Sequence, residues 1–502
     1  MFRANSLSTI LFSIFCFNVM AAERPLVVQG IRVPVASLDP FATTGIDAFS
    51  AISNVIEPLF RIHPSTGALM PCLGLSYKLD PKKKTIRVKL RPHVRFQNGD
   101  ALTSEDVKFT FEAYYKPEFE GAIWQGMWSQ VESAKAIDPD TVEFKLKEWR
   151  YPYFVSVLTS LRILPRSAYG KVDKKKFQSE IVGTGPFKLK RFASNRKLDL
   201  EPNAGWWGSP KPNFDLTIKA IDDAALAAQI IQKGEMDFYL LEAGQAKPTV
   251  TPTRFKSGLG RGFWIDLNFR KKLFESKNVR QALLLLWNRE ELNRKIFKGE
   301  MRLALDVFTP NSEATPPGKP VRMDIKEARR LLAQEGWQDA DHDGILDKNK
   351  EKFSFTILVA NSAEERWVSL YQQDARQAGV KVEIERIGED AQWIERLKSG
   401  NFDAFASDGA LIDRPEKYSW ASDGIYNYSK YKNAEVDRLT EELDLEFNPE
   451  KRRLKTRKLI EIIRADVPQI PGLVTRYESI LLSKRLHPDP ENPSRAWLWK
   501  LR

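Results

Sequence analysis

The sequence predicts an α/β protein of two or three domains, and three observations predict it. At 502 residues the chain is longer than one ordinary core organises. Short β-branched and aromatic runs alternate with stretches of helical spacing along most of its length. Residues 262–299 then compress both patterns into one unit. Phe263, Trp264, Ile265, Leu267 and Phe269 form an apolar run too short for a helix and suited to a buried strand. A polar loop, RKKLFESK, follows. Asn278 reads as the cap of a helix whose Val279, Leu283, Leu286 and Trp287 share a face. Asn288 with Glu291 reads as the capping pair of a second helix that starts at Arg289.

Composition narrows the function classes. Hydrophobic residues make up 42% of the chain, ample for globular packing, and no apolar run after the N-terminus has membrane-spanning length. The net charge of +12 permits contact with anions. Yet the basic residues are spread out, and the lysine triplets at 82–84 and 174–176 read as turns or solvated faces. With no basic, aromatic-interleaved module, nucleic acid is not an expected partner. Residues 1–21 carry one charge, Arg3, then an apolar core around Ile10 to Phe17, then Ala21 and Ala22. That is the pattern of a cleavable secretory signal, and it predicts a periplasmic protein. Cys16 leaves with the signal, so Cys72 is alone and no internal disulfide is expected.

Taken in order, VVQGIRV after Leu26 is a first strand, and Ile52, Val55, Ile56 and Leu59 suggest a helical face. Ile86, Val88 and Leu90 alternate with charges, as in a half-exposed strand. Thr103 with Asp106 caps a helix that buries Val107 and Phe111. Residues 131–146 form a strand pair turning at Asp138-Pro139-Asp140. Gly183-Thr184-Gly185 enters a strand, because no Lys-Ser/Thr or helix start follows to make a phosphate cradle. Residues 224–241 read as a helix stopped at Gly234 and a strand at 238–241. Asp324 and Glu327 cap a helix that Gly336 ends. Strands at 353–360 and 380–387 flank a helix at 364–378, and a helix at 393–400 leads into the strand Asn401-Phe-Asp-Ala-Phe-Ala.

Several of these phrases carry a resemblance. The order N-F…F-x-S-x-N-V-R-Q-A-L…N-R-E in 262–299 resembles the opening of the second lobe of bacterial extracellular solute-binding proteins of family 5. Those are the periplasmic oligopeptide-, dipeptide- and nickel-binding partners of ABC importers. Leu273-Phe274 stands where Pro-Phe is common, and Asn288 where Asp is common. The strand and "Leu-Thr-x-x-Asp-Val" phrase at 86–107, Gly183-Thr-Gly-Pro-Phe187, Asn203-x-x-Trp-Trp-Gly208 and NYSKYKNAEVDRL at 427–439 resemble the family as well. Glu57 falls in its "Glu-x-Leu" phrase, where a structural role at a helix end is the simpler reading.

The resemblance implies a periplasmic-binding-protein-like fold of two α/β lobes with an inserted α/β domain and a ligand cleft between the lobes. Lobe 1 would be 22–58, 183–262 and 478–502, the inserted domain 59–182, and lobe 2 263–477. Crossings between lobes would lie near 262–266 and 476–479. It further implies a monomeric substrate-binding protein that captures short peptides and delivers them to an inner-membrane ABC permease and ATPase complex. Neither enzyme activity nor a cofactor is expected. The alternatives are a nickel chelate, oligosaccharide or opine as ligand, a secreted hydrolase, or a cytosolic regulator, which the signal argues against.

In peptide-binding members the strand after Asn-Phe-Asp supplies a glycine, backbone contacts and an aspartate for the ligand amine. Allowing one extra residue, these positions fall on Gly409, Leu411 and Asp413, with Asp408 as the rival carboxylate. Ala410 stands where tryptophan is usual, and Asp413-Arg414-Pro415 shortens the usual acidic pattern. Trp420, Trp393, Trp124 and Trp128 are candidate cleft aromatics, each also readable as core or surface. No nucleophile motif appears, and His63, His93, His342 and His487 lack zinc spacing. Asp339, Asp341, Asp343 and Asp347 match much of a calcium loop. Lys350, however, stands at position twelve, where a bidentate glutamate belongs, so no metal is expected there.

Overall fold

Alternation of apolar and polar residues sorts most of the strands onto three larger sheets, beside three two-stranded ones among the described residues. The computed structural model describes residues 24–41, 46–63, 68–116, 128–170, 179–193, 197–241, 252–256, 260–308, 314–410, 416–475, 477–490 and 495–501. The predicted signal, Trp124, Leu411, Asp413, Arg414 and Arg476 lie outside them. Among the described residues, the first strand, Leu26–Ile31, sits inside a seven-stranded sheet between Asp215–Ala220 and Phe238–Leu241, parallel to both. Tyr477–Leu482 and Thr253–Lys256 extend one side, and Lys197–Pro202 with Phe187–Ala193 the other. A four-stranded antiparallel sheet runs Gly74–Asp80, Thr85–Leu90, Thr141–Leu146 and Val131–Asp138. Its half-exposed strand, Thr85–Leu90, buries Ile86, Val88 and Leu90 and exposes Arg87 and Lys89.

A six-stranded mixed sheet centres the second large lobe. Its order is Met301–Leu303, Gln469–Thr475, Arg261–Leu267, Ala404–Ala410, Ser354–Val359 and Lys381–Arg386. Chain therefore passes between the two large sheets after Lys256 and again after Thr475. Phe263, Ile265 and Leu267 are buried against Val279, Leu283, Leu286 and Trp287, so the apolar run does become a core strand. Asn288 accepts a hydrogen bond from Glu291 N at 3.0 Å and caps the helix Arg289–Lys295. Thr103 and Asp106 close a reciprocal capping box, and Asp324 caps Ile325–Gln334.

Two local expectations are corrected. The helix Lys277–Leu285 is capped by Ser276, not Asn278. Asn278 sits in the first turn, where its amide donates to Glu335 Oε1 at 2.8 Å. The helical face expected through Leu59 ends at Ile52. Beyond it the Asn54 and Val55 carbonyls accept from Phe187 N and Gly185 N, so the chain leaves the helix to pair with the glycine turn. That approach is close: a Cβ on Gly185 would lie 2.7 Å from Val55 O. Glu57 then serves as a buried structural carboxylate, accepting from Arg61, Thr184 and Trp207 at 2.7–2.9 Å.

Candidate functional site

The strand Ala404–Ala410 is the scaffold of the site. It lies between Arg261–Leu267, antiparallel, and Ser354–Val359, parallel, so its backbone position is held from both sides. The register sets Ser407 opposite Trp264, Asp408 opposite Phe263 and Gly409 opposite Gly262. Beside this strand opens a cavity of about 500 Å³. All its described lining residues fall between Trp264 and Gln469. The helix Asp390–Ser399 brings Trp393, and Ser362–Arg376 brings Glu364. Trp420 and the stretch from Tyr426 to Tyr431 complete the wall.

Of the residues singled out from sequence, Asp408, Trp393 and Trp420 meet at this cavity. Gly409 continues the same strand, and a Cβ there would meet nothing within 4 Å, so the backbone stands open to an approaching group. Trp128 is not brought there. It is 1% exposed and packs on Tyr114 with ring centroids 5.6 Å apart, in the core beside the four-stranded sheet. Its large ring fills the space under the helix Ser104–Ala113, which is why it is core and not cleft.

The electrostatics are one-sided. Among the described lining residues, Asp266, Glu364 and Asp408 are acidic and none is basic. Asp408 is exposed to the cavity, and no hydrogen bond reaches its carboxylate from the described residues. Glu364 is buried, with Ala360 N donating to its Oε2 at 2.6 Å. Burial pushes its carboxyl up to about 7, with the Asp408 charge adding to the effect. Asp266 accepts from Gln469 Nε2 at 2.5 Å and from Ser407 Oγ at 2.7 Å. Burial nonetheless lifts its carboxyl to about 6.

Three further polar atoms of lining residues are buried with no hydrogen-bond partner among the described residues: Trp420 Nε1, Ser429 Oγ and Gln469 Oε1. Buried polar groups are almost always paired, so three orphans in residues lining one cavity set this wall apart from an ordinary core. Trp264, Tyr426 and Tyr428 add aromatic faces. Such a site holds a cationic group between carboxylates and rings, and it offers both donors and acceptors to a peptide-like chain.

Sequence reading missed Asp266, Glu364, Ser429 and Gln469. A signal existed for Asp266, an acid inside an otherwise apolar strand. Glu364 looked like any charge in a helix's first turn.

The acidic loop is a different case. Lys352 Nζ lies 2.6 Å from Asp341 Oδ2, 3.1 Å from Asp343 Oδ2 and 3.8 Å from Asp347 Oδ2. An ammonium from the chain itself thus stands among three of the four carboxylates of the calcium-like loop.

The family model described as "Bacterial extracellular solute-binding proteins, family 5 Middle" matches residues 68–429. The oligopeptide-binding protein AppA of Bacillus subtilis is 30% identical over 374 residues, covering 70% of this chain and 68% of the relative. The nickel-binding periplasmic protein of Escherichia coli is 25% identical over 401 residues, covering 77% and 75%. The solved structure of AppA in complex with a nonapeptide shares the fold with a TM-score of 0.72 at 23% identity, over 96% of this chain and 99% of that one.

Proposed function

We infer the role of the cavity from a plain membership: this chain belongs to the bacterial extracellular solute-binding proteins of family 5. As a solute-binding protein of an ABC transporter, it captures ligand and performs no chemistry on it. The ligand we assign is a short peptide whose cationic end enters the acidic cavity. The carrying observation is the convergence of Asp408 and Glu364, with no basic residue among the described lining residues, on one aromatic-walled space. Asp408 and Glu364 face the ammonium, Trp420 Nε1 donates to a ligand carbonyl, and the open backbone at Gly409 lies along the peptide. Leu411 and Asp413 are assigned to the continuation of that contact.

The protein works in the periplasm after removal of residues 1–21 and hands its ligand to an inner-membrane permease and ATPase complex. Lobes joined through the crossings after Lys256 and Thr475 close on the ligand by hinge motion.

A thermal-melt panel on the mature chain from Ala22 tests this, with tri- to pentapeptides, Ni²⁺ with histidine, and small sugars. A ligand at about a hundredfold its dissociation constant adds ~2.7 kcal/mol, a readable shift. Peptides are expected to raise the melting point, and Asp408→Asn to erase the rise. A shift with the nickel chelate or a sugar, and none with any peptide, removes the peptide assignment.

A further inference from the structure

The four-stranded sheet has one buried face and one that meets water. Ile86, Val88, Val142 and Phe144 are buried, and Phe111 of the helix Ser104–Ala113 meets Phe144 with ring centroids 6.2 Å apart. The opposite face is basic. Register sets Lys78 beside Arg87, Arg87 beside Glu143 and Glu143 beside Lys135, one row that crosses all four strands. The turn at 81–84 closes one end of the sheet with Lys82, Lys83 and Lys84. Lys84 Nζ reaches the Lys147 carbonyl at 2.9 Å, which brings Lys147 to the same end.

Nine lysines and arginines stand against five acids in residues 74–90 and 131–147, and all five acids are engaged. Glu143 pairs with Arg87 at 2.6 Å, Glu132 with Lys145 at 2.8 Å, Asp80 with Lys83 at 3.8 Å, and Asp140 with Lys89. Asp138 accepts from Asp140 N at 3.0 Å. Lys78, Lys82, Lys135 and Lys147 are exposed, and among the described residues nothing accepts from their ammonium groups. Four uncompensated charges on one broad surface attract an extended anionic partner.

Two β-bulges select among such partners. Leu75 is the extra residue between Gly74 and Ser76, and Ile137 the extra residue between Ala136 and Asp138. Both lie toward the end of the sheet away from the 81–84 turn, and they are 45% and 48% exposed. A soluble polyanion offers charge alone. A lipid surface offers anionic headgroups and, just beneath them, an apolar layer for aliphatic side chains.

We propose that the outer face of this sheet docks the protein on an anionic phospholipid bilayer, with Lys78, Lys82, Lys135 and Lys147 on the headgroup phosphates and Leu75 and Ile137 at the headgroup boundary. For a carrier that serves a membrane complex, such docking shortens the search for it. The contact itself is independent of the acidic cavity and holds whatever ligand that cavity takes.

Co-sedimentation of the mature protein with vesicles of phosphatidylcholine, and of phosphatidylcholine mixed with phosphatidylglycerol, tests it. The protein is expected to bind the mixed vesicles, to ignore phosphatidylcholine alone, and to release as salt is raised. Each lysine at the surface contributes roughly fivefold in affinity, so replacing Lys78, Lys82, Lys135 and Lys147 together by Gln should weaken binding at least about a hundredfold. The melting temperature should not move, because none of the four holds an internal contact. Replacing Lys319, Lys326, Lys398 and Lys432, exposed lysines of the second lobe, changes the net charge equally and should leave vesicle binding as in the wild type. Leu75→Gln with Ile137→Gln is expected to weaken it about fivefold. Failure to bind the mixed vesicles overturns the proposal, as does an equal loss in the second-lobe variant, which would make net charge alone the cause. Inorganic polyphosphate bound as tightly as the vesicles, with vesicle binding unchanged by Leu75→Gln and Ile137→Gln, overturns the lipid assignment in favour of a soluble polyanion.

Discussion

Arg150 forks onto Glu441 across 291 residues of chain, Nη2 to Oε1 at 2.8 Å and Nη1 to Oε2 at 3.1 Å. Lys417 reaches the same carboxylate at 2.5 Å, and Asp444 lies 3.3 Å from Arg150 Nη1. Next to this ionic fork Trp149 stacks on Phe447 with centroids 4.6 Å apart, and the Arg452 guanidinium covers Tyr151. The two partners flank strands of different sheets. Arg150 precedes the helix Tyr151–Thr159 that follows the four-stranded sheet, and Glu441 lies in Ala434–Leu445, between the strands Ala404–Ala410 and Gln469–Thr475 of the six-stranded sheet. A bidentate pair backed by stacked rings straps the start of the helix Tyr151–Thr159 to Ala434–Leu445, and under the proposed hinge closure it would have to open for ligand to leave.

Loosening that strap should therefore speed release. Glu441 is 38% exposed, so solvent screens the pair, and removing it is expected to cost about 1 kcal/mol. We expect Glu441→Gln to raise the peptide dissociation rate roughly five-fold, read by stopped-flow tryptophan fluorescence, with the difference shrinking at high salt. Arg150 and Lys417 hold the Glu441 carboxyl down to about 2. The strap's contribution is thus complete above the unfolded carboxylate range and lost as pH falls toward 2. An unchanged dissociation rate in Glu441→Gln would remove the strap from the closure.

Peptide capture should depend on pH through Glu364. Its carboxyl, raised to about 7, is largely protonated below neutrality, and only the ionised form attracts an ammonium. In the ligand-free protein a raised carboxyl favours folding at low pH, and that contribution is lost as pH rises through about 7. Binding runs the other way. Affinity for a peptide amine is expected to rise up to about tenfold per pH unit as pH increases toward 7, then level off. Glu364→Gln should flatten that profile between pH 5.5 and 8.5 in calorimetric titrations. A wild-type profile already flat over this range excludes Glu364 from ligand contact.

Much of the fold was legible because its signals are local. Asn288, Thr103 and Asp324 each cap the helix their spacing indicated, and Gly234 and Gly336 take positive φ just past helix ends. The site was legible only in part. Asp408, Trp393 and Trp420 could be singled out, but nothing local told cavity wall from core, and Trp128 shows how the same residue type falls the other way. Asp266 and Gln469 meet only through the sheet register, and Ser429 joins them from a loop whose carbonyl accepts from Phe269 N.

Asp266 should be a cost to stability at alkaline pH. Burial raises its carboxyl to about 6, so its ionised form, dominant above that, is disfavoured in the folded state. The contribution of this group is favourable below the unfolded value near 3.8 and declines as pH rises through 6. Asp266→Asn keeps a carbonyl oxygen for Gln469 and offers an amide to Ser407. We expect it to melt higher than wild type at pH 8, by about 1–3 kcal/mol of stability, and to lose that advantage at pH 5. Scanning calorimetry at both pH values checks this. A variant less stable at pH 8 than at pH 5, relative to wild type, contradicts it.

Calcium should leave the wild-type protein unmoved, because the acidic loop already holds a cation. Lys352 sits on Asp341, Asp343 and Asp347; Asp341 and then Asp343 draw its ammonium pKa upward, and Lys352 in turn pulls the Asp341 carboxyl down. The carboxylates are also spent on the loop itself. Asp339 Oδ2 accepts from Gly344 N, Asp343 Oδ1 from Ile345 N and Asp347 Oδ2 from Ala340 N, at 2.8–3.1 Å. A tethered ammonium carries half the charge of calcium but needs no dehydration of a free ion, and it pairs without the missing position-twelve glutamate. Millimolar Ca²⁺ against EDTA is therefore expected to shift the wild-type melting temperature by nothing measurable. Lys352→Ala leaves Asp339, Asp341 and Asp347, whose ligand atoms lie within 4.8 Å of one another, without their cation. That variant should melt lower in EDTA and recover on adding Ca²⁺. A calcium response in the wild type equal to that of Lys352→Ala would mean the lysine yields its place to the metal.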